Sequence, residues 1–514
     1  MRIIETHNLS PTTLLTQDEN DWVYNGLDVC VTLEIVQNLL SQLDAVSRPT
    51  YAFSKALQGP ILEMNMRGLR VDKSRRDEVL TTYKSDIKFL TEQLNAFAEE
   101  GIGMSVNWNS SAQLKQLFYG VLGLNPIKKR NAQGVFAPTV DREALEKLSS
   151  YMIAEPICER LLLIRDLDKK RQLLETGIDP DGRMRTSFNI AGTNTGRLAS
   201  AISDMGTGRN LQNIDRELRS VFIADPGMKF GNLDLEQADA RNVGALCWDY
   251  FVDSKGADFA GRFLDACESG DLHTATCKLA WTELPWTGTP KGDRAVADQL
   301  AYRQDSYRQL AKKLGHGTNY YGTPRTMAMH TKTAVKLIED FQKRYFSGYP
   351  CIQEWHKHVK HMLKYESQIT TLMGRRRHFW GRHNDDSTLR AAIAYAPQSM
   401  TGDQINTGLL NLFRTGKVEL LVQVHDSLLF QYPEDREESI IPMALDALRV
   451  PIILKHDREF VVPVDAKTGW NWGDTEHDKQ GNLVGNEDGL LKWKGSDQRK
   501  RQRGSQLSLS SLLR

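Results

Sequence analysis

Four polar side chains recur at steps of four residues in the segment 305–322, namely Arg308, Lys312, His316 and Tyr320. Each step drifts only about 40° around a helix of 3.6 residues per turn, so the four would share one face. Two cations followed by an imidazole and a phenol can hold a polyphosphate at one end and a ring or sugar at the other. An ordinary charged surface helix is the alternative interpretation.

A pair of aspartates lies in strand-like surroundings. Asp234 interrupts the apolar pattern LDLE, where a carboxylate is costly unless it is paired or binds a metal. Asp426 lies in the string HDS, between the two β-rich arms of 418–432 that we expect to form a hairpin. Carboxylates from distant strands can bridge two Mg²⁺ ions roughly 3.5–4 Å apart, as in-line nucleotidyl transfer requires. Burial of these acids against arginine is the structural alternative.

The elements that must position these residues alternate between helical and strand-rich stretches. Helical periodicity covers 18–45, 72–100, 141–176, 258–283 and 298–372, whereas strand patterns cover 228–236 and 418–432. This order predicts an α+β fold with a helical insertion. The polar segment from 473 onward predicts a flexible tail.

Composition excludes several classes of protein. The chain has 514 residues, 66 Lys+Arg and 65 Asp+Glu, and its length predicts roughly three or four domains. An apolar content of 40% argues against a predominantly disordered chain. No apolar run reaches the roughly 18 residues of a membrane span, and the start MRIIETHNLSPTT lacks the core of a signal peptide. Six cysteines without a CxxC pair argue against a disulfide framework or a zinc ribbon and predict a reducing cytosol.

Because the net charge is only +1, local clusters must supply any binding of a polyanion. Three clusters stand out, and each is interpreted either as a solvated face or as a phosphate contact. They are Arg303, Arg308, Lys312, Lys313 and Arg325; Arg375, Arg376 and Arg377; and Arg499, Lys500, Arg501 and Arg503.

Several strings together resemble DNA polymerase family A, which includes bacterial DNA polymerase I and many phage replicative enzymes. DLEQADAR (234–241), RQLAKKLGHGTNYYG (308–322) and QVHDS (423–427) resemble its motifs A, B and C. TGRLAS (195–200) and NLQNI (210–214) resemble its primer–template segments, and DLHTAT (271–276) and TLMGRRR (371–377) fall where the family has similar strings. The resemblance covers roughly 51–473, with the strings in the family's order.

The resemblance implies a right-hand polymerase fold, with a thumb, a palm built on an antiparallel sheet, and helical fingers. Its implied boundaries are 1–50 for a helical exonuclease-domain remnant, 51–178 for the thumb, 179–250 and 373–472 for the palm, 251–372 for the fingers, and 473–514 for a polar and basic flexible tail.

The resemblance also implies roles for individual residues in template-directed addition of dNTPs to a primer 3′ end. Asp234, Asp426 and the backbone carbonyl of Leu235 would hold two Mg²⁺ ions, with Mn²⁺ as a possible substitute. The implied nucleotide-binding residues are Arg308, Lys312, His273, His316, Tyr320, Gln237 and Asp239. The implied primer–template residues are Arg197, His425, Asn210, Gln212, Arg375, Arg376 and Gln398.

Four positions depart from the family pattern. Asp239 stands where a longer Glu usually bars a ribose 2′-hydroxyl, so sugar selection is expected to be looser. His316 replaces the usual Phe or Tyr, a position that bears on discrimination against dideoxynucleotides. The family's Tyr-Gly pair is offset, because Tyr320 keeps the helical spacing whereas Tyr321 is the residue that precedes Gly322. Ser427 replaces the usual Glu of motif C, whose contribution must be absent or supplied elsewhere.

The amino-terminal string YNGLD, from Tyr24 to Asp28, resembles the last motif of a 3′–5′ exonuclease domain. Asp28 alone cannot hold two metals, so we expect no proofreading from this chain. A separate exonuclease subunit that docks on 1–50 is the corresponding hypothesis, and a phage origin with action in the host cytoplasm is the expected setting. An ordinary helix with an incidental Tyr and Asp is the alternative.

Two rival functions remain. A single-subunit RNA polymerase shares similar motifs B and C, including a His-Asp-Ser string that Ser427 fits, whereas TGRL, NLQN and Asp239 favour DNA synthesis. A catalytically silent scaffold that binds primer–template would have lost Asp234 or Asp426, and both are present.

Overall fold

The structure is a computed structural model that describes residues 16–131, 134–203, 206–302, 305–478, 482–497 and 499. The sequence predictions for the chain start, for Arg303 and for Lys500, Arg501 and Arg503 lie outside the described residues.

Helices account for most of the regular structure. In chain order they are α1 (Gln17–Gln42), α2 (Ser47–Ala56), α3 (Gln58–Arg67), α4 (Lys73–Ala96), α5 (Ser111–Lys115), α6 (Arg142–Leu148), α7 (Glu155–Leu174), α8 (Ala238–Lys255), α9 (Ala257–Glu268), α10 (Leu272–Ala280), α11 (Pro290–Ala297), α12 (Tyr307–Asn319), α13 (Pro324–Thr331), α14 (Val335–Gly348), α15 (Pro350–Tyr365), α16 (Asp386–Thr415) and α17 (Glu437–Ala447). Single π-helical turns extend α4 over Phe97–Ile102 and α5 over Gln116–Val121.

The strands are shorter. They are β1 (Leu69–Val71), β2 (Lys128–Arg130), β3 (Phe136–Pro138), β4 (Arg183–Met184), β5 (Ser187–Asn189), β6 (Ala199–Ala201), β7 (Phe222–Ile223), β8 (Met228–Leu235), β9 (Leu300–Tyr302), β10 (Asp305–Ser306), β11 (Gln368–Thr370), β12 (Arg376–His378), β13 (Glu419–Val424), β14 (Ser427–Pro433), β15 (Ile452–Leu454), β16 (Arg458–Phe460), β17 (Val464–Gly469), β18 (Glu476–His477), β19 (Leu483–Gly485) and β20 (Leu491–Lys492).

The chain forms two compact units, each assembled from separate segments. The sheet unit comprises Gly59–Glu236, Gln404–Val450 and Val461–Arg514. The helical unit comprises Met1–Gln58, Gln237–Asp403 and Pro451–Phe460. The sheet unit therefore contains both aspartates of the predicted metal site, and the helical unit contains the basic helix α12.

The sheet unit is organised around five antiparallel strands in the order β13-β14-β8-β17-β20. The predicted strand 228–236 and the predicted hairpin 418–432 are thereby confirmed, because β8 pairs directly with the second arm of that hairpin. Gly231 in β8 is required by close packing, since a Cβ there would lie 2.4 Å from the ring of Phe430. A second apolar core of this unit is built from buried residues between Leu94 and Ile164.

Local signals explain where helix α12 begins. Ser306 accepts a hydrogen bond from the backbone N–H of Gln309, and the Gln309 side chain accepts one from the backbone N–H of Ser306, so the two residues form a capping box. The prediction of helix at Leu300–Tyr302 and Asp305–Ser306 was wrong, because these two segments pair as short strands and α12 begins only after Ser306.

The prediction that the chain is flexible from 473 onward was also wrong for its described part. Strand β20 joins the central sheet, where Leu491 and Lys492 pair with Thr468 and Lys467 of β17. Leu490 is buried, and the buried Lys229 forms an ion pair with Asp497 at 3.0 Å. Main-chain pairing and ion pairing therefore order a polar segment that has little apolar periodicity.

Two further predictions concern disulfide bonds and membrane-spanning segments. All six cysteines are free. Over the residues that the structure describes, we find no helix with the combination of length and apolar character that crossing a bilayer would need.

Candidate active site

The end of β8 brings Asp234 beside Asp426. The backbone N–H of Leu235 donates to the backbone carbonyl of Asp426 at 3.0 Å, and Ser427 lies directly opposite Asp234 in the pairing of β14 with β8. The structure thus brings together two carboxylates that are distant in the chain.

The surroundings of the Asp234 carboxyl disfavour its ionised form. Burial raises its pKa to about 7, and the nearby charge of Asp426 adds to this effect, whereas Lys467 and Arg216 only partly oppose it. The residue is nevertheless exposed to solvent. The nearby cations therefore do not neutralise Asp234, which argues against the interpretation of an acid buried against arginine.

The donor set at this point fits a hard divalent cation that also takes oxygen atoms from a ligand. Asp234 and Asp426 supply carboxylates, and such ions prefer oxygen ligands. A positive charge between the two carboxylates would relieve the repulsion that raises the pKa of Asp234. Within the described part of the chain, no group of three or more His, Cys, Asp or Glu side chains is arranged to hold a metal ion. The protein alone thus supplies an incomplete coordination shell.

A third carboxylate near Asp234 was missed by the sequence analysis. Asp465 on β17 lies directly opposite Asp234, on the side away from Ser427. Opposed residues of antiparallel strands project from one face, so Ser427, Asp234 and Asp465 form a row. Lys492 Nζ lies 2.6 Å from Asp465 Oδ1, and the carboxyl groups of Asp465 and Glu236 are hydrogen-bonded. The strand pattern VDAKTG could have indicated Asp465, but its register with β8 could not be known.

The turn that carries His425 and Asp426 is held from beneath by buried amides. His425 has a positive φ of 55°, and its carbonyl accepts a hydrogen bond from Gln423 Nε2 at 2.6 Å. Gln212 Nε2 donates to the backbone and side-chain oxygens of Gln423 at 3.1 and 3.0 Å. The strained conformation is therefore stabilised by its surroundings, as is typical of functional turns.

This network changes the interpretation of Asn210 and Gln212, which were predicted to contact primer–template. Gln212 is only 8% exposed and its amide bonds to Gln423. Ser200 Oγ donates to Asn210 Oδ1 at 2.6 Å and to Gln212 Oε1 at 2.8 Å. Gln212 therefore supports the turn from within the protein, and the half-buried Asn210 is tied to Gln212 through Ser200. Arg197, by contrast, is half-buried in the loop before β6.

In the helical unit, α12 presents the predicted row of side chains. Lys312 and His316 are exposed, and the rings of His316 and Tyr320 contact edge to face with centroids 4.7 Å apart. Tyr320 follows the last helical residue, Asn319. The four-residue spacing of Arg308, Lys312, His316 and Tyr320 is therefore retained, although Tyr320 lies just beyond the end of the helix.

Arg308 is held by an acid that the sequence analysis did not single out. Its guanidinium makes a two-pronged contact with Asp271, with Nη2 2.9 Å from Oδ1 and Nε 3.1 Å from Oδ2. Burial opposes ionisation of Asp271, but the hydrogen bonds from Arg308 and Thr274 hold its pKa well below its usual range. Asp271 also caps α10 by accepting from the N–H of Thr274, so one carboxylate fixes both a helix start and a cation.

His273 lies beside these cations. Burial lowers the pKa of its imidazole to about 4, and the charges of Arg308 and Lys312 act in the same direction. At neutral pH this imidazole is therefore uncharged. An anion bound near Arg308 and Lys312 would raise the pKa of His273 again.

The end of α12 is anchored by two buried side chains that lie far along the chain. A ring nitrogen of His356, Nε2, is 2.8 Å from the carbonyl of Asn319, and Tyr345 Oη donates to the Asn319 side chain at 3.0 Å. Gly322 then packs so closely that a Cβ would lie 2.8 Å from the carbonyl of Gly317.

The first turn of α8 carries Gln237 and Asp239. Gln237 precedes the helix with a positive φ of 53°, and Asp239 accepts a hydrogen bond from Thr401 Oγ1 of α16 at 2.6 Å. Gln398 lies on the same helix as Thr401 and is half-buried.

The arginines of the cluster at 375–377 are half-buried, and each contacts another side chain of the helical unit. Arg375 makes a two-pronged, largely buried ion pair with Asp403, at 2.7 and 3.0 Å. Arg376 is bonded to Asp44 and, at 2.9 Å, to Ser47 Oγ. Arg377 stacks over the ring of Phe379, with 4.6 Å to the centroid. These charges already have partners that fix the β11–β12 hairpin.

The other basic clusters are also partly neutralised. Lys313 pairs with Asp305 at 2.7 Å. Arg499 pairs with Asp497 at 2.6 Å and donates to the carbonyl of Thr468 at 2.9 Å. Lys312 and Arg325 remain exposed on the helical unit.

Helix α1 exposes apolar residues to an unusual degree. Trp22 is 74% exposed and Tyr24 72% exposed, and Asp28, one helical turn after Tyr24, is exposed as well. The predicted Tyr24 and Asp28 pair therefore lies on an accessible helix.

Comparison with known proteins adds a family assignment to this geometry. The family model described as DNA polymerase family A matches residues 77–474. The chain is 27% identical over 482 residues to DNA polymerase I of Chloroflexus aurantiacus, a match that covers 87% of this chain and 46% of that protein. It is 24% identical to the thermostable DNA polymerase I of Thermus thermophilus, over 87% of this chain and 52% of that protein. The chain thus spans about half the length of these curated relatives.

A solved structure is also similar. The polymerase domain of Pol1 from M. smegmatis, in complex with a DNA primer-template and dNTP, superposes with a TM-score of 0.63 at 22% identity, covering 81% of this chain and 69% of that one. At this identity the likeness shows the fold, and it agrees with the predicted right-hand α+β architecture.

Proposed function

The chain belongs to DNA polymerase family A, and from this membership we propose that it is a template-directed DNA polymerase that adds dNTPs to the 3′ end of a primer. The observation that carries the proposal is the juxtaposition of Asp234, at the end of β8, with Asp426 in the turn between β13 and β14. Both carboxylates are present and lie beside each other. A catalytically silent scaffold would not need this arrangement.

Asp234, Asp426 and the Leu235 carbonyl would hold two Mg²⁺ ions, with Mn²⁺ as a substitute. Bound there, such ions supply a lowered pKa for the primer 3′-hydroxyl and neutralise the leaving pyrophosphate. The raised pKa of Asp234 supports this assignment, because a carboxylate crowded by another gains most from a cation.

The nucleotide would be bound by the α12 face. Arg308 and Lys312 would contact the triphosphate, and His273 would donate a hydrogen bond as a neutral imidazole that becomes more basic beside the phosphates. Asp271 keeps the Arg308 guanidinium in one orientation, which reduces the entropy lost when a phosphate binds. His316 and Tyr320 would face the base or sugar, and Gln237 and Asp239 the sugar.

The primer–template would be contacted by Arg197, His425 and Gln398. Arg375, Arg376, Asn210 and Gln212 would act indirectly, through the hairpin and the turn that they stabilise.

We also propose that the chain lacks proofreading and serves phage DNA replication, with a separate 3′–5′ exonuclease polypeptide docking on 1–50. The exposed apolar side chains of α1 support the docking surface.

Primer extension by the purified chain tests the activity, with dNTPs and rNTPs compared on one primed DNA template. We expect extension with dNTPs, at most weak extension with rNTPs, and no shortening of a 3′-mismatched primer. Preferred use of rNTPs would favour the RNA polymerase alternative, and absence of extension with intact duplex binding would favour the scaffold. The Asp426→Asn variant is the negative control, and Asp166→Asn, which alters an exposed carboxylate paired with Arg142, is its matched positive control.

A further inference from the structure

The side chain of Asp239 is held by a buried polar contact between two helices. Thr401 Oγ1 on α16 lies 2.6 Å from Asp239 Oδ1 in the first turn of α8. Thr401 is 1% exposed, so water does not compete for this hydrogen bond. A hydrogen bond to an ionised carboxylate is about twice as strong as a neutral one.

The direction of this hydrogen bond follows from counting protons. The Thr401 hydroxyl has one proton and two acceptors within reach, Asp239 Oδ1 at 2.6 Å and the carbonyl of Pro397 at 3.0 Å. The buried amide of Asn242 donates to Thr401 Oγ1 at 3.0 Å and lies 3.4 Å from the Pro397 carbonyl. The Asn242 amide thus donates to both the Pro397 carbonyl and the Thr401 oxygen. The single Thr401 hydroxyl proton is therefore donated to the Asp239 carboxylate.

Helical spacing brings Asp239, Asn242, Pro397 and Thr401 together. Asp239 and Asn242 are three residues apart on α8, and Pro397 and Thr401 are four apart on α16, so each pair lies on one helix face. The Asp239 carboxylate is therefore held by a side chain of the neighbouring helix α16.

We propose that Thr401 is a positioning residue that fixes Asp239 and thereby sets how strictly the enzyme distinguishes deoxyribose from ribose. This inference rests on the proposed function, and in particular on Asp239 facing the sugar of the nucleotide. An aspartate side chain is one methylene shorter than that of glutamate and has one rotatable bond fewer. Its position therefore decides whether it occupies the space that a ribose 2′-hydroxyl would need. A carboxylate held in one rotamer excludes the extra hydroxyl, whereas a released one can turn aside to accommodate it.

The test is the ratio of kcat/KM for an rNTP to kcat/KM for the matching dNTP. In Thr401→Val, which replaces the hydroxyl by a methyl group, we expect this ratio to rise about tenfold, since hydrogen bonds to charged groups are worth enough to produce that change. Thr401→Ser keeps the hydroxyl and should keep the wild-type ratio. Thr186→Val is the matched control, because Thr186 is also 1% exposed and its hydroxyl donates to a backbone carbonyl, that of Ala201.

A purely structural role for Thr401 would lower kcat/KM for both nucleotides equally and leave the ratio unchanged. The double variant Asp239→Ala/Thr401→Val separates the cases, because the effect of Thr401→Val should disappear once the carboxylate is gone. If Thr401→Val does not fold because the Asn242 amide has lost its acceptor, Thr401→Val/Asn242→Leu removes both partners and is expected to give the same ratio.

An unchanged or lowered ratio in Thr401→Val, with a raised ratio in Asp239→Ala, would overturn this inference and leave the proposed function intact. A wild-type chain that extends no primer would instead refute the proposed function.

Discussion

Asp234 is subject to two opposing demands. Its position beside Asp426 is what a cation site needs, but the same proximity and the crowding around it raise its pKa to about 7. Below an unfolded-state pKa near 4, the carboxyl is protonated in both states and contributes no penalty. Between about pH 4 and about 7 the unfolded chain releases this proton while the folded protein keeps it, so stability falls over that range and stays at its lower value above it.

The variant Asp234→Asn is therefore expected to be more stable than the wild type at pH 8 in EDTA, although it should not extend a primer. We expect a gain of only about 1 kcal/mol in the free energy of unfolding, because water reaches the carboxylate and screens it. Urea unfolding at pH 8 measures this gain, and Asp166→Asn should show none. Adding Mg²⁺ should stabilise the wild type and not Asp234→Asn; equal stabilisation of both would contradict a cation site at Asp234.

Lys312 and Arg375 have the same charge but are expected to behave in opposite ways. Lys312→Gln removes an exposed charge from the α12 face, so apparent KM for dNTP should rise severalfold while stability stays within about 0.5 kcal/mol. Steady-state kinetics and urea unfolding together measure this, and a loss of stability without a change in KM would contradict the nucleotide-binding role of Lys312.

Arg375→Gln leaves Asp403 buried without its charged partner, which should cost about 3 kcal/mol. The dependence of duplex binding on salt should keep its slope, because no phosphate contact is lost. Fluorescence anisotropy at several salt concentrations tests this second point, and a slope reduced by about one would mean that Arg375 contacts DNA after all.

At the scale of elements, α12 is anchored at both ends. The capping box at Ser306 fixes its start, and His356 and Tyr345 hold the carbonyl and the side chain of its last residue, Asn319. The face that carries Lys312 and His316 is therefore presented by a helix with little freedom to fray, as a binding surface for a charged ligand requires.

The anchor at Asn319 predicts a sensitivity to acid. Burial lowers the pKa of His356 to about 4, so protonation favours the unfolded chain, in which histidine titrates near 6.5. Stability should be full above pH 6.5 and fall progressively as the pH approaches 4, by about 3 kcal/mol from this group. In His356→Asn, which cannot titrate, the loss of stability between pH 7 and pH 5 should be smaller; urea unfolding at both pH values measures it. An identical loss in variant and wild type would mean that His356 is not the acid-sensitive group.

At the scale of the whole molecule, the carboxy-terminal segment is part of the central sheet. Lys229, 2% exposed at the start of β8, is paired with Glu437 at 2.5 Å and with Asp497 at 3.0 Å. Asp497 is in turn bonded to Arg499, whose guanidinium donates to the Thr468 carbonyl of β17. One ionic network therefore joins strand β8, the start of α17 and the segment after β20.

Asp497→Ala should destabilise the sheet unit by about 2 kcal/mol, because Lys229 stays buried with one acid instead of two. Thermal unfolding followed by circular dichroism measures the shift, with Asp474→Ala, in an exposed pair with Lys467, as the comparison. A melting temperature unchanged by Asp497→Ala would show that the segment after β20 contributes nothing to the fold.

Local patterns were sufficient for much of this molecule. The strand around Asp234, the hairpin around Asp426 and the helix of Arg308 and Lys312 were predicted from periodicity, because the hydrogen bonds and burial that produce periodicity lie within a few residues. The order of the motif strings was sufficient for the family, and the alternation of helical and strand-rich stretches was sufficient for the α+β class.

Partners that are distant in the chain were decided only by the tertiary fold. Arg375 looks like a phosphate ligand in the sequence and is an ion-pair partner of Asp403 in the structure. Asp465 looks like an ordinary strand residue and lies opposite Asp234 because β17 adopts one register with β8. A charged side chain carries no local mark of the group that will neutralise it, so the charges available to a ligand can be identified only once packing has assigned the others.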